Sequence, residues 1–332
     1  MFSLLHLLIL PFLCLVNALT NTTNPPIRQV YTFGPNTFIE QIAVRSNSHI
    51  LLTSESVPTL FTLNPLLISP NASVLSTFPN ATGLSGITEI SPDVFALVSG
   101  VWDLVNTRAT SLNIWTIDLC PPSPVIKHVT AIVNSTIFNG MAAIPGTDLV
   151  LAADLALGAV WRVNIRTGAY GIAFSDSLLA PLGTDPGTNL GINGIRVSAN
   201  RKWVYFANSA QGFFGRVPIS RCGEKVGNVE VIASVGILTG VAGVHFDDFA
   251  LDGEDKAWIA THPSDVIEVQ VGKGVVADIQ NSTLLLNPTS AAFGRGAERE
   301  RRTLYVTNGG TFVGDTFELV EEGVVAIDLW KV

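Results

Sequence analysis

"LGINGIRVSANRKWVYFANSAQGFFGRVPI", residues 190–219, is the stretch from which the fold is read. Asn193-Gly194 stands at the mouth of an apolar, alternating strand. A second strand follows after a polar turn, and a third follows the adjacent aromatics Phe213 and Phe214. Short alternating runs broken by Gly, Asn, Asp and Pro read as strands, and they recur along the whole chain. "FIEQIAVRSNSHILLTS", "GLSGITEISPDVFALVSG", "FNGMAAIPGTDLVLAAD", "DDFALDGEDKAWIATH" and "PTSAAFGRGAERERRTLYVTN" repeat the plan of residues 190–219. With Ile42, Ile87, Met141, Ile195, Phe249 and Ala292 as anchors, the intervals are 45, 54, 54, 54 and 43 residues. Six units of about four strands, spread evenly over one chain, predict an all-β, six-bladed β-propeller. A β-sandwich would not show that period. The early strand "IRQVYTF" is placed to complete the last blade, and no linker divides residues 19–332.

The rest of the composition bounds where the chain works. Of 332 residues, 47% are hydrophobic and 14% charged, and the net charge of −8 argues against a nucleic-acid partner. "MFSLLHLLILPFLCLVNALT" has the apolar core of a secretory signal, with a small-residue cleavage pattern at Val16 and Ala18, so residues 1–18 are expected to be removed. No later stretch is long and apolar enough to span a bilayer. Sequons at Asn21, Asn71, Asn80, Asn134 and Asn281 agree with a secreted, glycosylated chain. Loss of the signal leaves Cys120 and Cys222, which in an oxidising compartment pair most simply as one disulfide.

Propeller geometry says where the chemistry belongs. Inner strands start at one end of the central channel, and the hairpins between second and third strands return to that end. The six mouth positions are Glu40, Ser85, Asn139, Asn193, Asp247 and Thr289. Glu40 and Asp247, with the amide oxygens of Asn139 and Asn193, make an all-oxygen ring that suits Ca²⁺ or another hard divalent cation. The rival reading is that Asn-Gly and Asp-Asp merely make turns. Soft-metal chemistry is disfavoured by the lack of a Cys pair or closely spaced His pair. A Gly-x-Ser-x-Gly elbow and a phosphate-cradling Gly loop are both missing, and no organic cofactor is implied.

"NLGINGIRVSANRKWVYFANS" and "DDFALDGEDKAWIA" resemble the Asn-Gly and Asp-Gly-Leu-Ala-x-Asp…Trp blades of the gluconolactonase, regucalcin and senescence marker protein family, in blade order. The resemblance implies a divalent metal held by Glu40, Asn193 and Asp247, with Asn139 beside them in the channel and Asp247 as the base of the lactonases. Three departures stand out: Glu40-Gln41-Ile42 replaces Glu-Gly-Pro, Gly140 replaces an acid, and Asp248 replaces a Gly. The likeness is strongest to a fungal secreted branch that includes hetero-Diels–Alderases, which join a quinone-methide-type heterodiene to a terpene alkene.

Loops over the channel carry Trp102, Phe213, Phe214 and Phe312, expected as apolar walls for a bulky apolar substrate, and His262. A cycloaddition needs orientation and a donor or cation on a carbonyl, for which Asn139, Asn193 and His262 are candidates. The sequence thus leads to a biosynthetic pericyclase, ahead of a metal-dependent lactonase that would use Asp247 with His262. A non-catalytic ligand-binding propeller is the third reading.

Overall fold

A computed structural model describes residues 25–103, 108–185, 188–237, 243–279, 282–312 and 319–331. Six four-stranded antiparallel sheets form the blades. Their inner strands are Ile39–Val44, Gly83–Ser91, Phe138–Ala143, Ile192–Val197, His245–Leu251 and Pro288–Phe293. Blade four continues through Trp203–Asn208, Phe213–Pro218 and Glu230–Ser234, as the quoted stretch predicts for its first three strands. In blade six the outermost strand is Ile27–Thr32, which pairs antiparallel with Gly323–Asp328. The chain's early strand therefore closes the ring.

Each blade packs between two others, so successive residues of its inner and middle strands point into two different interblade cores. Phe213 and Phe214 show this directly. Phe213 packs with Phe206, Leu151 and Phe174 on the blade-three side, at 5.7 Å between the two Phe ring centroids. Phe214 stacks on Tyr205 and meets Phe249 edge-on at 4.9 Å, on the blade-five side. The two are 4% and 1% exposed. They hold blades together and do not wall the mouth, which corrects the sequence reading of both.

The disulfide is also corrected, because Cys120 and Cys222 are free and exposed. They lie in the same connection, third to fourth strand, of blades two and four. Cys120 Sγ contacts Pro92 O within blade two, whereas the Cys222 carbonyl accepts from Arg162 of blade three. A whole blade separates them.

The signal segment 1–18, Asn21 and Asn281 lie outside the described residues, while Asn71, Asn80 and Asn134 occupy exposed connections. Among the described residues no helix is long and apolar enough to cross a membrane.

Candidate functional site

All six inner strands break register at the same place. Ile39 pairs with Ser54 and Ile42 with Leu52, so Glu40-Gln41 together oppose the single residue Thr53. The same two-against-one bulge holds Ser85-Gly86, Asn139-Gly140, Asn193-Gly194, Asp247-Asp248 and Thr289-Ser290. A bulge re-aims a side chain without ending the strand. Asn-Gly here therefore makes no turn. Its glycine is needed for space: a Cβ on Gly140 would lie 2.7 Å from Asn193 O, and one on Gly194 2.6 Å from Asp248 Cα. In blades two, three and four the second bulge residue, Gly86, Gly140 or Gly194, presses on the next blade, whereas Gln41 of blade one reaches Asn139.

The upper end of the channel, where the inner strands begin, is buried and acidic. Glu40, Asn139, Asn193 and Asp247 are each at most 7% exposed. Asn139 Nδ2 donates to Glu40 Oε1 at 2.5 Å, and Gln41 Nε2 donates to Asn139 Oδ1 at 3.3 Å. Asn193 Nδ2 donates to Ser209 Oγ at 3.1 Å, and that hydroxyl donates onward to Phe246 O. His262 Nε2 and Asp247 Oδ2 share a hydrogen bond of 3.1 Å. The three side chains expected to donate to a substrate, Asn139, Asn193 and His262, are thus engaged with Glu40, Ser209 and Asp247. The amide and carboxyl atoms left unpartnered here are oxygens, Gln41 Oε1, Asn193 Oδ1 and Asp247 Oδ1, while the Trp102 indole Nε1 at the edge is an unpartnered donor.

Three site residues escaped the sequence reading. Glu55, 8% exposed, follows the second strand of blade one. His245 stacks on His262 at 4.2 Å between centroids. Asp248, fully buried, accepts from Arg196 Nη2 at 2.6 Å and Ser290 Oγ at 2.7 Å, linking blades four, five and six. Glu55 stands one residue past the end of its repeat, as Ser209 does in blade four.

The carboxyls of this end act on one another electrostatically. Burial, then the charges of Glu55 and Asp247, hold Glu40 well above the usual carboxylate range. Burial, then Asp247, pushes Glu55 to about 8. Asp247 is raised to about 7 by burial, with Asp248 adding to the rise; His245 and the nearby Asn193 amide oppose it. Burial lowers both His245 and His262 to about 4, so the pair is neutral at pH 7.

Among the described residues, no three His, Cys, Asp or Glu side chains cluster closely enough to hold a metal ion by themselves. The donor set is mixed instead. Two buried oxygens without partners, Asn193 Oδ1 and Asp247 Oδ1, together with the Glu40 carboxyl, are the chemistry a hard cation takes. The residues fit such an ion.

The aromatic candidates divide. Trp102 is buried with Leu112, Ile137 and Phe138, and its indole lies over Gly83, where an added Cβ would meet both the indole and Glu55 O. It flanks the site from within the core. Phe312 enters the short strand Thr311–Phe312, paired with Leu319–Val320, and its side chain lies outside what is described.

This is a six-bladed propeller with an acidic, acceptor-rich channel end. Comparison with known proteins bears out the family resemblance. The profile described as "SMP-30/Gluconolactonase/LRE-like region" matches residues 187–310, which contain Asn193, Asp247 and His262. A Sarocladium schorii protein, asR5, assigned as a hetero-Diels-Alderase, is 24% identical over 318 residues, 85% of this chain and 78% of its own. A Phoma protein assigned likewise is 26% identical over 323 residues, 86% of this chain and 88% of its own. Among solved structures, the calcium-binding protein regucalcin of Agrobacterium tumefaciens superposes with a TM-score of 0.61 at 18% identity, over 87% of this chain and 92% of its own.

Proposed function

We propose that the upper channel end activates the carbonyl of a bulky apolar metabolite for a hetero-Diels–Alder reaction, in which a quinone-methide-type heterodiene adds across a terpene alkene. One structural observation carries the carbonyl-activating part: the buried polar atoms left over at Asn193 and Asp247 are acceptors. Acceptors alone repel a carbonyl oxygen, so the site needs positive charge to work on one. A divalent cation held by Glu40, Asn193 and Asp247 supplies that charge when bound.

The chain's own residues do the positioning. Ser209 fixes the Asn193 amide with its oxygen inward, Asn139 holds Glu40, and His262 orients Asp247. The relatives' names support cycloaddition over hydrolysis. Orientation of two apolar partners supplies up to about 7–11 kcal/mol of such a barrier.

The Asp247–His262 pair favours a second reading, lactone hydrolysis, in which Asp247 Oδ1 takes a proton from attacking water. We place the protein in the secretory pathway, a reading supported by the exposed sequons Asn71, Asn80 and Asn134.

The test is product analysis with purified protein, with and without EDTA. The substrates are a panel of lactones and a quinone-methide precursor mixed with humulene-type terpenes. One cycloadduct stereoisomer is expected. Lactone opening alone would replace the first reading with the second, and no turnover of either substrate class would favour a binding protein.

A further inference from the structure

Glu55 is a buried carboxyl at the acidic channel end, and no hydrogen bond to its side chain exists among the described residues. It sits after the second strand of blade one, at the repeat position of Ser209, which in blade four holds a channel side chain in place. Glu55 holds nothing. Ile39 pairs with Ser54, so Glu55 stands at the same end of blade one as Glu40, and Asp247 helps to raise its carboxyl. A buried carboxyl without a hydrogen-bond partner costs folding free energy in either protonation state.

Acidic neighbours alone would not define a site. The independent observation is the pair of unpartnered oxygens, Asn193 Oδ1 and Asp247 Oδ1, on side chains that are 5% and 6% exposed. Among the described residues no Lys or Arg pairs with Glu40, Glu55 or Asp247, and Arg196 is committed to Asp248.

We infer that Glu55 sets the cation affinity of the channel site, acting beside the Glu40, Asn193 and Asp247 ligands as a third carboxyl that ionises when the cation is bound. This rests on the cation-bearing reading above. Glu40 and Asp247 alone would balance one divalent ion. Glu55 makes the site over-neutral by one charge, and therefore selective for doubly or triply charged hard ions over sodium or potassium. The carboxyl acts through the field, so an amide of the same shape removes its effect without opening a cavity.

The experiment is a calorimetric titration of the EDTA-stripped, full-length protein with CaCl2, and separately with TbCl3, on the parent, Glu55→Gln and Asp247→Asn. Chelator competition replaces direct titration if binding is too tight. Outer groups around a metal commonly change its affinity by about 10–100-fold, so Glu55→Gln is expected to weaken calcium at least about tenfold, and terbium more. Its melting temperature without cation should be no lower than the parent's, which shows that the variant folds. Parent-like affinity in a folded Glu55→Gln would overturn the role of Glu55 while leaving the cation site standing. A parent that binds neither ion, with a melting temperature unmoved by EDTA, would overturn the cation reading and this inference with it.

Discussion

The two ends of the channel are built from the same six strands and treat charge in opposite ways. At the lower end, where the inner strands finish, a cavity of 340 Å³ is lined by Val44, Ile87, Met141, Phe293 and others, with Glu89, Arg196 and Arg295 among them. Every charge there has an opposite. Arg295 meets Glu89 at 2.5 Å, and Arg196 meets Asp248 at 2.6 Å. At the upper end, Glu55 and Asp247 help to raise the pKa of Glu40 and Asp247 that of Glu55, no Lys or Arg among the described residues pairs with them, and amide oxygens beside them lack donors. Paired charge is what folding alone would leave. The unpaired end is the one shaped for something else.

The sharpest attack on this contrast is to ask what surrounds the upper end. If Phe213 were a substrate wall, its loss would spare the fold. Packed as it is against Phe206 and Phe174, Phe213→Ala should cost about 3–5 kcal/mol. Denaturant unfolding of the purified variant checks this. A stable but inactive Phe213→Ala would move the ring back to the mouth.

Arg196 joins the two ends, since it lines the lower cavity and closes on Asp248, the residue after Asp247. Arg196→Met strands a fully buried carboxylate and should cost about 3 kcal/mol, somewhat reduced by the exposure of the arginine. The double variant Arg196→Met/Asp248→Asn should recover part of that loss. No recovery would mean that the pair is not what ties the ends together.

How far this was legible beforehand depends on what repeats. The 54-residue spacing between Met141, Ile195 and Phe249 fixed blade number and the channel-facing mouth residues, because one bulge recurs in every inner strand. The bulge itself was not legible, since Asn-Gly is also a turn signal. Phe213 and Phe214 misled because a middle strand here is covered on both faces, unlike the one-sided alternation expected of an exposed hairpin. Glu55 carried no signal because it lies one residue beyond the blade-one repeat, which ends with the second strand at Ser54. Its counterpart Ser209 shows that the second strand's end also reaches the channel.

Acidity gives a smaller but cleaner test. Glu55 and Asp247 have folded pKa values of about 8 and about 7, above their ordinary 4.5 and 3.8. The folded state therefore keeps protons that the unfolded chain has lost, and their contribution falls as pH rises through 7 and 8. The histidines work the other way. Lowered from 6.5 to about 4, they weaken the fold only as pH drops below 6.5. Between pH 6.5 and 8 the carboxyls act alone, so the cation-free melting temperature should fall by on the order of 5 °C. Glu55→Gln should flatten that slope, as should saturating calcium. A parent curve that is level or rising across this window would mean that the three carboxyls are not packed as described.

The smallest effect belongs to the lower rim. Arg295 and Glu89 are the cavity's other ion pair, with side chains 43% and 20% exposed. Water already screens such a pair, so Arg295→Met should cost less than about 1 kcal/mol and leave calcium affinity at the upper end unchanged. Scanning calorimetry and the same calcium titration read both. The value of this variant lies in its expected silence: it removes a charge from the channel as Arg196→Met does, at a site where no buried carboxylate depends on it. If Arg295→Met nonetheless shifted calcium affinity, the field at the upper end would depend on total channel charge, and Arg196 would hold no special place between the two ends.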